Sequence, residues 1–371
     1  MPDELKVKWS IKLSSEGIGG IAANKEIVVV GSRNILDSID VFSCHDFATG
    51  IELWKVRFPA PGDLDYGNSP RATPLILKDR VICLGAFGHL CAVSISTGEV
   101  LWQKNLTLDF LAKRPDWGFC GSPLAVPLRV NGNDKTAIVF QPGSEIKSLV
   151  ALDALDGSEL WSVAGDTASY SSFVLAEIRG TSQLIGFEED SIGGWNLHGK
   201  KLWTLKPEVE GDFNVPTPIV MDDSLFLSSE NNGTRVHHFD TSGVIIQKPV
   251  AEFAQLNPDT HTPVRVGKML CGTSDGLFCL DSKTLKVVHE SDDAAFEQYT
   301  SMISDGKSRV LAITLEGEMI LTSITQDHLK IVSRKRLTEE HDLMSHPAMV
   351  DGDLIIRVGR YLKRIPLISS R

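Results

Sequence analysis

Eleven residues with aromatic, amide, imidazole or charged side chains lie in segments of the chain that do not repeat. Such a mixture combines rings for stacking with hydrogen-bond donors and acceptors, which suits a polar small molecule, a sugar or a peptide. The alternative interpretation is that these side chains only cap and solvate the entrance of a channel. The residues are Tyr66, Asn68, Arg71, Asp116, Trp117, Tyr170, Asn214, His261, Gln298, Tyr299 and His346.

Two members of this set, His261 and His346, have side chains that bind metals. They lie in different repeats and have no second ligand at metal-binding spacing, so we predict no metal site. Asp109, Arg114 and Asp116 lie in the longest insertion and could form a charged group on the surface. No G-x-S-x-G motif is present, and the sequence assigns no catalytic residue.

The loops that carry these residues separate the copies of a repeat. "DFATGIELW" ends at Trp54 and "DALDGSELW" ends at Trp161. Successive copies are 42 to 59 residues apart, and the last interval, from Ser333 through the chain end to Trp9, is 47 residues. The chain therefore contains eight repeats. Their last positions are Trp9, Trp54, Trp102, Trp161, Trp203, Gln247, His289 and Ser333.

Each repeat contains four segments with the alternation of half-buried antiparallel strands. In the second repeat they are "ATPLIL", "RVICLGA", "HLCAVSI" and "EVLWQKN". Four strands in about 45 residues are typical of a propeller blade. We predict an all-β, eight-bladed β-propeller of four-stranded antiparallel blades, with residues 1–371 forming one domain. The N-terminal strand, within residues 5–13, completes the blade formed by residues 343–368. The insertion "LTLDFLAKRPDWGFCG" could carry a helical turn.

The repeated residues themselves are predicted to be structural. A tryptophan in the outer strand can cover the seam to the next blade, and an aspartate before a turn accepts hydrogen bonds from turn N–H groups. Glycines in these turns supply backbone freedom. "GIGG" at Gly17 to Gly20 is not followed by a helix pattern, so it is not a phosphate loop. The turn aspartates are Asp46, Asp153, Asp240 and Asp281.

Composition narrows the possible partners. The chain has 37 Lys and Arg residues against 48 Asp and Glu residues, a net charge of −11. Its longest basic run is the short "SRKR" ending at Arg336, so we expect no nucleic-acid binding. Residues 1–13 have no apolar core long enough for a signal peptide or a membrane helix. We expect no membrane span and a monomer.

Six cysteines are too few and too scattered for a disulfide scaffold. Cys83 and Cys91, like Cys271 and Cys279, are eight residues apart across a glycine-bearing turn. This spacing places each pair on facing hairpin strands. Either the members are small buried side chains, or the pair forms a disulfide or has a thiol function.

The repeat unit resembles the quinoprotein-type, or PQQ-like, β-propeller repeat over essentially the whole chain. "YGNSPRATPLILKDRVICLGAFGHLCAVSISTGEVLWQKNL" is particularly similar to single-domain PQQ-like propellers of bacteria, many from planctomycetes. The chain is more loosely similar to the outer-membrane assembly lipoprotein BamB. The quinone dehydrogenases of the family have a vicinal Cys-Cys pair, a tryptophan under the cofactor and calcium ligands. This chain has no Cys-Cys dipeptide.

These observations favour a binding or scaffold propeller that uses the variable loops for a protein, a polar small molecule or a carbohydrate. The resemblance implies a periplasmic or otherwise exported protein, and a cytoplasmic location is the alternative. No cofactor is expected. The alternative function is a PQQ-dependent oxidoreductase, or another enzyme, with PQQ and calcium at the axial mouth.

Overall fold

The computed structural model describes residues 1–2 and 4–367. Within them, 32 strands form eight four-stranded antiparallel sheets. The helical elements described are one turn, α1 (Leu106–Asp109), in the predicted insertion, and a 3₁₀ turn, Ala294–Phe296. The chain is an eight-bladed β-propeller, as the repeat predicted. The last position of the predicted 343–368 blade lies outside the described residues.

The chain divides into two compact units. The first comprises residues 1–168 and 342–371 and contains blades 1, 2, 3 and 8. Their strands, in blade order, are β2 (Ala22–Ala23), β3 (Ile27–Arg33), β4 (Ile39–Asp46), β5 (Glu52–Pro59); β6 (Leu75–Ile76), β7 (Arg80–Leu84), β8 (His89–Ser94), β9 (Val100–Asn105); β10 (Leu124–Val130), β11 (Asn133–Phe140), β12 (Leu149–Asp153), β13 (Glu159–Val163); β30 (Ala348–Val350), β31 (Asp353–Val358), β32 (Tyr361–Pro366) and β1 (Trp9–Lys12).

The second unit comprises residues 169–341 and contains blades 4 to 7. Their strands are β14 (Val174–Ile178), β15 (Thr181–Phe187), β16 (Ile192–Asn196), β17 (Lys201–Leu205); β18 (Ile219–Met221), β19 (Ser224–Ser229), β20 (Gly233–His238), β21 (Ala251–Phe253); β22 (Val264–Val266), β23 (Met269–Thr273), β24 (Leu277–Asp281), β25 (Val287–Ser291); β26 (Thr300–Ser304), β27 (Arg309–Thr314), β28 (Glu318–Ile324) and β29 (Leu329–Arg336).

Blade 8 joins the two ends of the chain. Strand β1 pairs antiparallel with β32, with Trp9 opposite Arg364 and Lys12 opposite Tyr361. This confirms that an N-terminal strand supplies the fourth strand of the last blade. The pairing covers the outer edge of β32, which would otherwise expose unpaired N–H and C=O groups.

Side-chain alternation explains how the blades pack. In β5, Trp54, Val56 and Phe58 are buried, and the residues between them are exposed. These three side chains form one cluster with Cys83 and Cys91 of blade 2. Each seam within a unit is thus an apolar core between two sheets, which is the largest stabilising contribution in such a fold.

The repeated tryptophans close these seams, as predicted. The indole Nε1 of Trp54 donates to the Ile95 carbonyl in blade 2 at 2.9 Å, and that of Trp102 donates to Ala154 in blade 3 at 3.0 Å. The sixth repeat has His289 at this position, and its Nε2 lies 2.7 Å from the Thr325 carbonyl of blade 7. Trp203 differs, because its Nε1 donates to Gln183 Oε1 of the same blade at 2.8 Å, and Gln183 Nε2 in turn donates to the Gly243 carbonyl of blade 5 at 2.8 Å.

Glycine is required where the indole meets the next hairpin. Gly98 has a φ of +72°, and a Cβ there would lie 2.5 Å from Cβ of Trp54. The turn aspartates also act as predicted, because Asp46 Oδ1 accepts hydrogen bonds from Thr49 N at 2.7 Å and Thr49 Oγ1 at 2.6 Å. The Thr49 hydroxyl bond is the main cause of the lowered pKa of Asp46.

The fifth repeat departs from the expected spacing. Gln247, its predicted outer-strand position, precedes β21. Pro249 follows two residues later and has no N–H for the ladder, so regular pairing starts beyond it. No helix among residues 1–2 and 4–367 is long and apolar enough to cross a bilayer.

Candidate functional site

Five of the predicted site residues gather on one loop assembly in the first unit, which we call the loop platform (residues 60–71 and 106–119). It lies at the end of the blades where each chain segment enters a new blade, opposite the hairpins between third and fourth strands. Tyr66 and Trp117 meet ring edge to face, with centroids 6.3 Å apart. The structure thus brings two predicted aromatic residues from different loops into contact.

Arg71 joins the two segments of the loop platform. Its Nε donates to the Trp117 carbonyl at 2.5 Å, and its Nη2 donates to the carbonyls of Asp65 at 2.5 Å and Gly67 at 3.0 Å. Backbone carbonyl groups thus accept the hydrogen bonds of these guanidinium N–H groups. Arg71 is therefore a positioning residue for Tyr66 and Trp117. The sequence analysis predicted it as a ligand-binding residue and did not predict this positioning role.

Asn68 is an anchor beneath the surface. It is 8% exposed, and its Nδ2 donates to Asp37 Oδ2 at 2.6 Å. Arg33 bonds the same Asp37 through Nε at 2.8 Å and Asp40 through Nη1 at 2.7 Å. Burial raises the pKa of Asp40 to about 6 although Arg33 contacts it. This network holds the loop platform on blade 1.

An aromatic ring fastens the loop platform to blade 2. Phe87 lies between two guanidinium groups, with Arg33 Cζ 5.2 Å and Arg114 Cζ 5.0 Å from its ring centre. It also packs with Leu64 in a small buried cluster. Cation–π contacts of this kind add to packing, so the loops have a fixed geometry of their own.

Asp116 lines an open cavity of about 240 Å³ on the loop platform. The other charged lining residues are Asp63, Asp65 and Arg114. Three carboxylates against one guanidinium make this cavity negative. The predicted charged group of Asp109, Arg114 and Asp116 is divided, because Asp109 lines a different cavity.

Two residues of the loop platform have unusual backbone geometry. Tyr66 has a φ of +61° and Leu111 a φ of +56°, a left-handed conformation that is disfavoured for large side chains. Both side chains are 67% exposed, and Leu108 nearby is 76% exposed. Large apolar groups held in strained loops at the surface are a feature of recognition sites.

The sequence analysis missed Leu108 and Leu111. Both lie in the longest insertion, and their apolar character there was the available signal. An apolar residue in a short helical turn is needed for folding only when its side chain is buried. In α1 that residue is Leu106, which is fully buried.

His346 also belongs to the first unit but is separate from the loop platform contacts described above. The residue is exposed overall, but its Nδ1 lies 3.1 Å from the Pro347 carbonyl and burial of the ring lowers its pKa. Its own carbonyl accepts a hydrogen bond from Ile21 N at 3.1 Å. The bond ties blade 8 to blade 1. "GIGG" is likewise explained by packing, since a Cβ at Gly19 would lie 2.4 Å from the Pro70 carbonyl oxygen.

In the second unit, His261 and Tyr299 form a pair. Their rings meet edge to face with centroids 5.9 Å apart. His261 Nε2 lies 2.7 Å from both the carbonyl and the hydroxyl of Thr273. Burial lowers the pKa of His261 and raises that of Tyr299 to about 12. Both side chains are therefore neutral at pH 7.

The remaining predicted residues of the second unit differ in exposure. Asn214 is 5% exposed, and its Nδ2 donates to the Glu188 carbonyl at 3.3 Å and the Glu189 carbonyl at 2.7 Å. It is a structural anchor in a left-handed turn, with φ +52°. Tyr170 is half-buried and Gln298 is exposed.

The cysteines are placed as the hairpin spacing predicted. Cys83 lies directly opposite Cys91, and Cys271 lies opposite Cys279. All six cysteines of the chain are free thiols in this structure. Burial raises the pKa of Cys83 and Cys271 far above the ordinary value, so these two are poor nucleophiles at neutral pH.

Residues 1–2 and 4–367 contain no group of three or more His, Cys, Asp or Glu side chains that could hold a metal ion. Cys120 lies near the loop platform and interacts with the carbonyls of Trp117 at 3.6 Å and Gly118 at 3.5 Å. It has no neighbouring cysteine in the chain.

Comparison with known proteins identifies a family by sequence and a shared fold by structure. A family model described as outer membrane protein assembly factor BamB, built on the PQQ-type repeat, matches residues 4–115 and 46–291. No curated protein sequence matches the chain.

Solved structures share the fold. BamB from Moraxella catarrhalis is 16% identical with a TM-score of 0.64, covering 99% of both chains. Quinohemoprotein alcohol dehydrogenase from Comamonas testosteroni is 13% identical with a TM-score of 0.63, covering 99% of this chain and 77% of that one. The computationally designed Ika8 protein is 12% identical with a TM-score of 0.67, covering 98% and 99%. At these identities the likeness concerns the fold.

Proposed function

The chain belongs to the PQQ-like propeller family whose model is described as outer membrane protein assembly factor BamB, and we propose that it is a protein-binding scaffold. In this proposal the partner docks on the loop platform of the first unit. The observation that carries the proposal is the exposure of Tyr66 and Leu111 in left-handed backbone on loops that Arg71 and Phe87 hold in place.

The chemistry of the loop platform defines the partner. A few central residues, most often tryptophan, tyrosine or arginine, supply most of the binding energy of an interface, and Tyr66 is such a residue on the loop platform. The carboxylates of Asp63, Asp65 and Asp116 lie on the same loop platform, and the whole chain carries a net charge of −11. We therefore expect a partner surface with an apolar centre and a neighbouring lysine or arginine, whose approach is faster at low salt.

The oxidoreductase alternative has less support in the residues. The quinohemoprotein neighbour shares the fold, but this chain lacks the Cys-Cys dipeptide that the family resemblance implies for the quinone dehydrogenases. We propose an exported, monomeric protein, on the family resemblance. A titration with PQQ and calcium chloride checks the alternative, since a saturable change in the quinone absorbance would favour it over the scaffold.

The test uses asparagine, which tolerates left-handed backbone better than leucine or tyrosine. A Tyr66→Asn, Leu111→Asn double variant removes two apolar side chains without adding backbone strain. The matched control is Leu155→Asn, which removes a leucine of 68% exposure from the hairpin at the opposite end of blade 3. All three proteins are immobilised and exposed to extract from the source cells.

The scaffold proposal predicts that the wild type and Leu155→Asn retain the same partner and that the double variant loses it. Retention of the same proteins in the same amounts by all three would contradict docking on the loop platform. Circular dichroism checks that the double variant remains folded.

A further inference from the structure

A cavity of about 330 Å³ lies at the seam between blades 1 and 2. It is lined by Phe58 at the end of β5, by His89 at the start of β8, and by Gln103, Asn105 and Asp109 from the end of β9 and α1. Ligand pockets usually measure about 300–1,000 Å³. The size therefore suits one small ring.

Strand register explains why polar side chains gather here. His89 is paired with Asn105, and Cys91 is paired with Gln103. These side chains lie on one face of blade 2, because residues two apart in a strand point the same way. Cys91 packs in the core shared with blade 1, so this is the face that blade 1 covers.

Two of the lining residues carry aromatic rings. Phe58 and His89 stack with centroids 6.0 Å apart and an angle of 22° between planes. Burial lowers the pKa of His89, so the imidazole is neutral at pH 7. Its Nδ1 is buried and has no hydrogen-bond partner among residues 1–2 and 4–367, so the ring contributes shape to the cavity wall and no hydrogen bond.

Local bonds leave several other polar atoms available. Asn105 Oδ1 accepts hydrogen bonds from Thr107 N at 3.0 Å and Thr107 Oγ1 at 2.7 Å, which leaves its Nδ2 donors. Asp109 Oδ2 accepts from Asn105 N at 2.6 Å, which leaves Oδ1 as an acceptor. Gln103 adds one amide donor group and one acceptor.

Charges in the cavity balance. Lys104 and Asp109 supply one positive and one negative side chain to the lining, and His89 is neutral. The lining has no excess of positive or negative side chains that would attract a ligand with a net charge. A hydroxyl group can donate and accept at once, so several hydroxyls on one ring can bond the amide donors and the carboxylate oxygen together.

We propose that the cavity at the seam of blades 1 and 2 binds a neutral, hydroxyl-rich ring, a single sugar residue, with its hydroxyl groups bonded to Gln103, Asn105 and Asp109. The ligand is either a free monosaccharide or the terminal residue of a glycan. The site shares Asp109 with the loop platform, but the residues proposed to contact the partner, Tyr66, Leu111 and Trp117, do not line it.

The proposal is tested by isothermal titration and saturation-transfer NMR with glucose, galactose, mannose and N-acetylglucosamine. Glucuronate and glucosamine serve as charged probes. Gln103→Ala removes an exposed amide of the lining, and Leu101→Ala removes an exposed neighbour on the same strand that does not line the cavity. An oligosaccharide ending in the best monosaccharide distinguishes a glycan end from a free sugar.

We expect saturable binding of at least one neutral sugar. Gln103→Ala should weaken it about tenfold, the effect of one lost hydrogen bond, while Leu101→Ala leaves it unchanged. Three results overturn the proposal: no saturable binding by any neutral sugar, equal affinity in wild type and Gln103→Ala, or binding of the charged probes alone. The platform variants Tyr66→Asn and Leu111→Asn should bind sugar normally, so failure here leaves the scaffold proposal untouched.

Discussion

At the scale of single residues, the loop platform combines a strained backbone with exposed apolar side chains. Leu111 has φ +56° and a side chain that is 67% exposed, so its identity contributes little to the core. Such a residue is explained by binding more readily than by folding.

Leu111→Asn should therefore raise the stability of the free protein or leave it unchanged. We expect the free energy of unfolding to increase by about 0.5–1 kcal/mol, since asparagine tolerates left-handed backbone. Urea denaturation of both proteins measures this. A loss above about 1 kcal/mol would show that Leu111 has a packing role.

A buried histidine supplies a pH prediction. His261 is 8% exposed, and burial lowers its pKa in the folded state. The folded protein thus binds this proton less readily than the unfolded chain, whose histidine pKa is about 6.5. The stability contributed by neutral His261 is complete above that pH and is lost as the pH falls below it.

We expect the free energy of unfolding to fall between pH 7 and pH 5, and His261→Gln to reduce the slope. The reduction is at most about 1.4 kcal/mol per pH unit, the value for one proton. Urea denaturation at a series of pH values measures both slopes. Identical slopes in the two proteins would show that His261 protonates equally in the folded and unfolded states.

The site residues were only partly predictable at this scale. Sequence pattern identified Tyr66 and Trp117 as loop residues, and the structure places them in contact. It could not show that Asn68 and Asn214 point inward as anchors, because the direction of a loop side chain depends on contacts with other loops. Leu108 was missed for the same reason.

At the scale of elements, the seam between neighbouring blades depends on a tryptophan and a glycine. Gly98 has φ +72° and lies against Trp54, whereas Gly132 has φ +82° and has nothing within 4 Å of the position of a Cβ. The two glycines have similar backbone geometry and different surroundings. They are therefore a matched pair.

Gly132→Ala should lower stability by about 1–2 kcal/mol, the cost of left-handed backbone for alanine. Gly98→Ala should lose about 1–3 kcal/mol more, because its methyl group collides with Trp54. Thermal and urea denaturation measure the difference. Equal losses would indicate that the hairpin shifts without cost and that the seam does not need close contact.

The strands themselves were predicted well because a period of about 45 residues fixes their number and order. The four strands of blade 2 were placed to within a few residues. The outer strand of the fifth repeat was predicted too early, at Gln247. Pro249 has no N–H for strand pairing, and the repeat pattern alone does not show the effect of a single proline.

At the scale of the whole molecule, blade 8 depends on the pairing of the N-terminal strand β1 with the C-terminal strand β32. Strand β1 buries Trp9, whose Nε1 donates to the Phe47 carbonyl at 2.9 Å. That residue belongs to blade 1, so β1 stabilises two blades at once.

Trp9→Ala should lower the free energy of unfolding by about 3–5 kcal/mol, the usual cost of truncating a large buried aromatic side chain. Differential scanning calorimetry measures it and also tests whether residues 1–371 unfold as one domain, which we predict as a single transition. Two separate transitions, with Trp9→Ala shifting one of them, would contradict the single domain.

The most direct test of the scaffold proposal is the affinity of the captured partner for the wild type and for the Tyr66→Asn, Leu111→Asn double variant. Loss of central interface side chains costs about 2 kcal/mol or more, so we predict at least about a 30-fold weaker Kd with stability maintained. An unchanged Kd would contradict the claim that this propeller binds its partner through the loop platform.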